Sequence, residues 1–162
     1  MDYEDIIITL RAILSANDQG AFSQLVKDNH PADVASGLAE MEPGEVRRLL
    51  NMLPAVIRAD VLGYMPVDFQ LQVVQFFTRG ELAEMFVEMS SDERVDLFRQ
   101  LPEEAQENLL PALAQVERED IRKLASYDED QTGAIMTSDY ATLTPELTAR
   151  QAVEQLRKVA PD

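Results

Sequence analysis

Apolar residues recur along the middle of the chain at intervals of twelve, a spacing that belongs to neither a single helix nor a single strand. When the sequence is written in rows of twelve, Met41, Leu53, Met65, Phe77, Met89, Leu101 and Leu113 fall in one column. Three residues earlier in each row stand Leu38, Leu50, Leu62, Val74, Phe86, Phe98 and Leu110. The column just before that reads Leu49, Val61, Val73, Met85, Leu97, Leu109 and Ile121. Within a row the apolar positions are therefore i, i+1 and i+4, one face of a helix. Each row also carries a start signal, because Pro54, Pro66, Thr78, Ser90 and Pro102 follow the terminal apolar residue. Proline suits the first helical turn, and threonine or serine suits the cap. In two rows the cap has its reciprocal partner three residues on, Thr78 with Glu81 and Ser90 with Glu93. The unit is a helix of about ten residues and a tight turn, too short to be stable alone. Such helices must stack, so residues 1–126 are expected to form an all-α solenoid in which each unit buries its stripe against its neighbours.

The column before the apolar pair is polar in every row: Ser36, Arg48, Asp60, Gln72, Glu84, Asp96 and Asn108. It is expected to face solvent. Between Glu81 and Glu107 the chain holds nine acidic residues against two basic ones, Arg94 and Arg99, so part of that face is strongly negative. Over the whole chain 30 acidic residues oppose 14 basic ones, a formal charge of -16 that repels nucleic acid and anionic lipid and makes cations the natural partners. Charge of this kind also simply keeps a protein soluble. Asp92 and Asp96 are more pointed. Like charges at i and i+4 cost a helix a few tenths of a kcal/mol, about 0.2–0.5, and a bound divalent cation would reverse the sign.

Catalytic constellations are missing. The absence of cysteine excludes disulfides, thiolate metal sites and a cysteine nucleophile together. His30 is the lone histidine and, followed by Pro31, reads as a helix cap rather than a base or ligand. No glycine-rich phosphate loop, His-Glu-x-x-His pair or EF-hand spacing occurs, and most of the methionines fall in the apolar columns. The chain does not read as an enzyme. No apolar run approaches a membrane span and the first residues are acidic, so this stretch is expected to be soluble, without inserting into a membrane itself.

After Ser126 the period stops. Residues 127–137 are polar and turn-rich and read as a connector. Residues 138–162 offer one candidate strand at Tyr140–Leu143 and one helix, capped by Thr148, over Ala149–Val159 with Ala152, Val153 and Leu156 on a face. One strand and one helix do not make a domain, so this segment is expected to be an incomplete α/β fragment.

The stretch His30-Pro31-Ala32-Asp33-Val34-Ala35, the rows opening Pro-Glu-Glu as at Pro102-Glu103-Glu104, and the run from Ser126 through Tyr127-Asp128-Glu129-Asp130-Gln131-Thr132-Gly133-Ala134-Ile135-Met136 to Thr137 together resemble the MgtE family of magnesium transporters. The connector is the most specific part. The resemblance implies a right-handed superhelical N domain leading into the first of two CBS domains, on the cytoplasmic face of the cell membrane, within a homodimeric integral membrane protein. It implies a sensor whose partners are the CBS and transmembrane domains of the same transporter. Mg²⁺ would sit between acidic residues of the two cytoplasmic parts, drawing them together and helping to close the pore when magnesium is plentiful. Carried over by motif, the implied ligands are Asp60 in Arg58-Ala59-Asp60-Val61-Leu62, Asp92 and Asp96 in Ser91-Asp92-Glu93-Arg94-Val95-Asp96, and the backbone carbonyl of Ala134, where the family has a second glycine. The other class open to such repeats is a metal-independent protein-interaction solenoid, related to those of a flagellar motor switch protein.

Overall fold

Seven to eleven residues of helix and a reversal fit into each row of twelve, and the computed structural model, which describes residues 3–127, 131 and 141–159, uses the chain in that way. Two helices precede the regular rows: α1 (Tyr3–Ala16) and α2 (Gln19–Asp28). The rows follow as α3 (Pro31–Leu38), α4 (Pro43–Leu50), α5 (Ala55–Gly63), α6 (Val67–Val74), α7 (Arg79–Glu88), α8 (Ser91–Gln100), α9 (Glu103–Leu109), a 3₁₀ turn at Leu110–Ala112, and α10 (Gln115–Ala125). A last helix, α11, spans Ala149–Val159.

From α3 on, each helix of the rows packs mainly on the next but one rather than on the next, while α2 lies against α1 and α3. Helices α1, α3, α5, α7 and α9 form one stack, and α4, α6, α8 and α10 form the other. Two interleaved stacks are what a repeat shorter than two full helices requires, since a chain that reverses after every unit must alternate sides. The apolar columns lie between them. Met41, Leu53, Met65, Phe77, Met89, Leu101 and Leu113 are all buried, as are Leu49, Val61, Val73, Met85, Leu97, Leu109 and Ile121; in the middle column only Leu110 is partly exposed. The outer column behaves oppositely, with Ser36, Arg48, Asp60, Gln72, Glu84, Asp96 and Asn108 all exposed. Gly37 shows how closely α1 docks, because a Cβ there would lie 2.8 Å from Ile6 Cγ2 and 3.1 Å from Leu10 Cδ1.

The start signals work by three different means. Thr78 forms the full capping box, its hydroxyl accepting from the Glu81 amide while the Glu81 carboxylate accepts from the Thr78 amide at 2.8 Å. Ser90 does not cap through its side chain; its hydroxyl donates to Glu93 Oε2 at 2.8 Å instead, so the pair meets side chain to side chain. Pro54, Pro66 and Pro102 stand at the cap itself, one residue before the first turn. Their carbonyls accept the first intrahelical bonds, from Arg58, Gln70 and Gln106 at 2.9, 2.9 and 3.0 Å. His30 caps α3, its Nδ1 accepting from the Ala32 amide at 3.2 Å ahead of Pro31.

The expected strand at Tyr140–Leu143 does not form. Tyr140 lies outside the described residues, and 141–144 are irregular; no strand occurs among the described residues. A strand exists only through the ladder it shares with a partner, and the described residues supply none. The helix does form, with Thr148 and Gln151 bonded reciprocally at its start and Gln155 donating to the Thr142 carbonyl at 3.1 Å.

Candidate metal-facing surface

One inward column is mixed, apolar at Val46 and Leu82 but polar at four other rows. Arg58, Gln70, Arg94 and Gln106 lie at multiples of twelve from one another and turn inward; Arg58, Gln70 and Arg94 are each less than 10% exposed, at 7%, 8% and 6%. Each donates to the carbonyl five residues back: Arg58 to Leu53 at 3.2 Å, Gln70 to Met65 at 2.9 Å, Arg94 to Met89 at 2.8 Å and Gln106 to Leu101 at 2.8 Å. These carbonyls close the preceding helix or its turn, where no further helical donor is available. The polar members of the column are therefore side-chain caps placed inside the fold. Sequence periodicity missed them because it scores arginine and glutamine as outward residues, although their recurrence at multiples of twelve was visible.

This changes the charge of the outer surface. Arg94 reaches three carbonyls, of Phe86, Val87 and Met89, and approaches Asp120 Oδ2 at 3.6 Å. Arg99, the other basic residue of the acidic stretch, donates to the carbonyls of Leu124 and Tyr127. Both cations of the 81–107 stretch are thus engaged with backbone, leaving Glu84, Glu88, Glu93, Asp96, Glu103, Glu104 and Glu107 exposed and Asp92 partly so.

Glu81 is an acid of this stretch that holds structure. Burial pushes its carboxyl up, but the Thr78 amide, the Arg47 guanidinium at 2.7 Å and the Thr78 hydroxyl outweigh that and hold it down, from its ordinary 4.5 to about 2. Asn51 donates to the same carboxylate at 2.7 Å, so Glu81 ties α4 to the start of α7.

Asp92 and Asp96 lie one turn apart on α8. Asp92 and Glu93 occupy its first turn, where the partial positive charge of the helix end favours carboxylates. Asp60 lies on α5, exposed between buried Ala59 and Val61, and belongs to the other stack. The two stacks approach each other through Gly63: a Cβ there would lie 3.4 Å from Glu93 Oε1. A shallow cleft of about 160 Å³ runs between them, lined by Gly63, Val67, Gln70, Met89, Glu93, Asp96, Leu97 and Gln100. Asp96 therefore shares a cleft with Glu93, a residue whose sequence signal pointed only to capping. Among the described residues no three histidine, cysteine, aspartate or glutamate side chains gather into a group able to hold a metal, so Asp60 is not brought together with the α8 pair. Ala134 lies outside the described residues.

The donor chemistry still fits magnesium. Mg²⁺ takes hard oxygen ligands, dehydrates reluctantly and is commonly bound by one or two carboxylates with several waters retained. Asp92 and Asp96 are hard oxygen donors of that kind, one turn apart on α8.

The stacked short helices make an α-solenoid with an acidic outer face. The profile of the MgtE intracellular N domain matches residues 29–130, well over half of the chain, and the chain belongs to that family. It is similar to the magnesium transporter MgtE of Thermus thermophilus, 25% identical over 162 residues that span 98% of this chain and 36% of that protein. The magnesium transporter MgtE of Bacillus subtilis is likewise 25% identical, over 160 residues, 99% of this chain and 36% of that protein. The chain thus spans about a third of the length of these relatives. Among solved structures, it superposes on the soluble part of a magnesium transporter with a TM-score of 0.85 at 23% identity, covering 97% of this chain and 62% of that one. On the cytosolic domain of the Mg²⁺ channel MgtE in complex with ATP the TM-score is 0.81 at 26% identity, covering 96% and 64%. No described helix is long and apolar enough to cross a membrane.

Proposed function

We propose that the chain is the cytosolic magnesium sensor of a magnesium transporter, its outer acidic face binding Mg²⁺ jointly with carboxylates of CBS domains that follow it. The observation that supports this most is the fate of the charges: the two cations of the acidic stretch are turned onto backbone carbonyls while the outer column stays exposed. Asp92 and Asp96 supply the ligands from α8, Asp60 adds one from α5, and the carbonyl of Ala134 contributes from the connector. With little magnesium, two acidic surfaces repel; an ion held between them has higher affinity for the apposed arrangement and shifts the population toward it. Apposition favours a closed pore in the transmembrane domain, in a homodimeric protein at the cytoplasmic face of the cell membrane.

A magnesium titration followed by amide chemical shifts tests the assignment on this chain. The expected shifts are confined to α8, from Asp92 to Asp96, and to α5 around Asp60. No shift there at about 20 mM Mg²⁺, or shifts centred on another surface, would remove these aspartates from the sensor.

A further inference from the structure

Arg99 breaks its own column. The other rows place Ala39, Asn51, Gly63, Gln75, Val87, Pro111 and Lys123 at the same position, so a guanidinium occurs there once. Its direction is also unlike that of the buried caps. Those residues reach back to the helix or turn just before them, whereas Arg99 reaches forward from the last turn of α8 to the end of α10. Its Nη2 donates to the carbonyl of Leu124 at 3.1 Å and to that of Tyr127. The closing carbonyls of a helix have no helical donor and carry its partial negative charge, so a half-buried cation is well matched to them. The same turn is held by the Ser126 amide on the Lys123 carbonyl and the Tyr127 amide on the Leu124 carbonyl, both at 3.3 Å, with the Tyr127 side chain packed against the core. A second tie joins the two helices further along, where Arg94 meets Asp120 at 3.6 Å. Two separated ties prevent α10 from turning about a single point on α8.

We propose that Arg99 is a positioning residue that locks the place where the chain leaves the solenoid to the helix bearing Asp92 and Asp96, so that a ligand pulling on α8 carries the chain exit with it. The lock stands on the contacts alone. Only the transmission rests on the reading of α8 as ion-facing.

Amide exchange followed by NMR on the full chain tests both parts, using Arg99→Gln, which is too short to reach the carbonyls, and Arg99→Lys, whose single ammonium can reach one. Without magnesium, the Ser126 and Tyr127 amides should exchange about tenfold faster in the glutamine variant and at an intermediate rate in the lysine variant, with α3 to α7 unchanged as the internal control. Unaltered exchange at both amides in the glutamine variant overturns the lock. A rise spread evenly over α8 and α10 overturns positioning in favour of simple packing. At about 20 mM Mg²⁺ the parent should show slower exchange on α8 and at Ser126 and Tyr127 together, and the glutamine variant on α8 only. Slowing at both places in the variant overturns the transmission. Absence of slowing on α8 in either protein overturns the ion-facing reading and the transmission with it, while the lock still rests on the magnesium-free result.

Discussion

The rows of α5 and α8 both read arginine, one residue, aspartate: Arg58-Ala59-Asp60 and Arg94-Val95-Asp96. In both the arginine turns inward and the aspartate outward, yet the two arginines are served very differently. Arg94 donates to three carbonyls and lies 3.6 Å from Asp120. Arg58 makes one hydrogen bond, to Leu53 at 3.2 Å, and its Nε and Nη1 are buried without a partner. Asp120 stands twenty-six residues after Arg94; the same step from Arg58 leads to Glu84, on a helix that packs on α5 as α10 packs on α8, but Glu84 stays in solvent. Equal spacing in a repeat therefore sets which way a side chain points, while the neighbours decide whether that direction is stabilising. The α8 row is consequently the better-anchored platform for the two aspartates it carries.

The largest expected effect breaks this contrast directly. Arg94→Met strips the donors from three carbonyls and leaves Asp120 facing an apolar chain, and it should cost about 4 kcal/mol in urea unfolding. Arg58→Met removes two unsatisfied nitrogens and should stay within about 1 kcal/mol of the parent. Equal losses at the two positions would show that the arginines are equivalent after all. Leu62→Ala, in the α5 row's apolar column at 0% exposure, should cost about 3 kcal/mol; a loss below half a kcal/mol would mean that the stacks do not share a core.

Glu81 sharpens the comparison from the side of acids that hold structure rather than ions. Its carboxyl is depressed from 4.5 to about 2, so its contribution is complete above about pH 4.5 and is lost as pH falls toward 2. Glu81→Gln should therefore cost about 2 kcal/mol at neutral pH, with the gap to the parent closing in melts run from pH 5 down to 2. A gap that stayed constant over that window would show that the carboxylate is not the stabilising form. The smallest effect concerns the outer face. Without metal, Asp92→Ala with Asp96→Ala relieves an i, i+4 repulsion of about 0.3 kcal/mol but gives up the favourable placement of Asp92 at the start of α8, so the double variant should melt within about two degrees of the parent.

Much of this architecture was legible because the interval of twelve separates inward from outward positions. The apolar columns, the exposed column from Ser36 to Asn108 and the capping role of His30 all follow from that spacing. The inward turn of Arg58, Gln70, Arg94 and Gln106 does not, since burial of a polar side chain depends on which carbonyls lack donors, and that is known only once the turns exist. The same limit applies to the site. Spacing put Asp92 and Asp96 on one helix face, but the approach of Gly63 to Glu93 joins residues thirty apart in sequence and leaves no periodic trace. The strand expected at Tyr140–Leu143 failed for a related reason, because pattern names a strand without supplying its partner.

The central claim, that the α8 aspartates sense magnesium together with a facing domain, is tested most directly by magnesium-dependent melting of a longer protein that includes both CBS domains. This chain alone should shift by a degree or two at most in millimolar Mg²⁺, since ligand at its dissociation constant stabilises by only about 0.4 kcal/mol. The longer protein should shift clearly more, and Asp92→Ala with Asp96→Ala should remove most of that gain. A longer protein without magnesium-dependent protection, or a double variant that keeps all of it, would contradict the sensor and leave a metal-independent interaction solenoid as the reading of this fold.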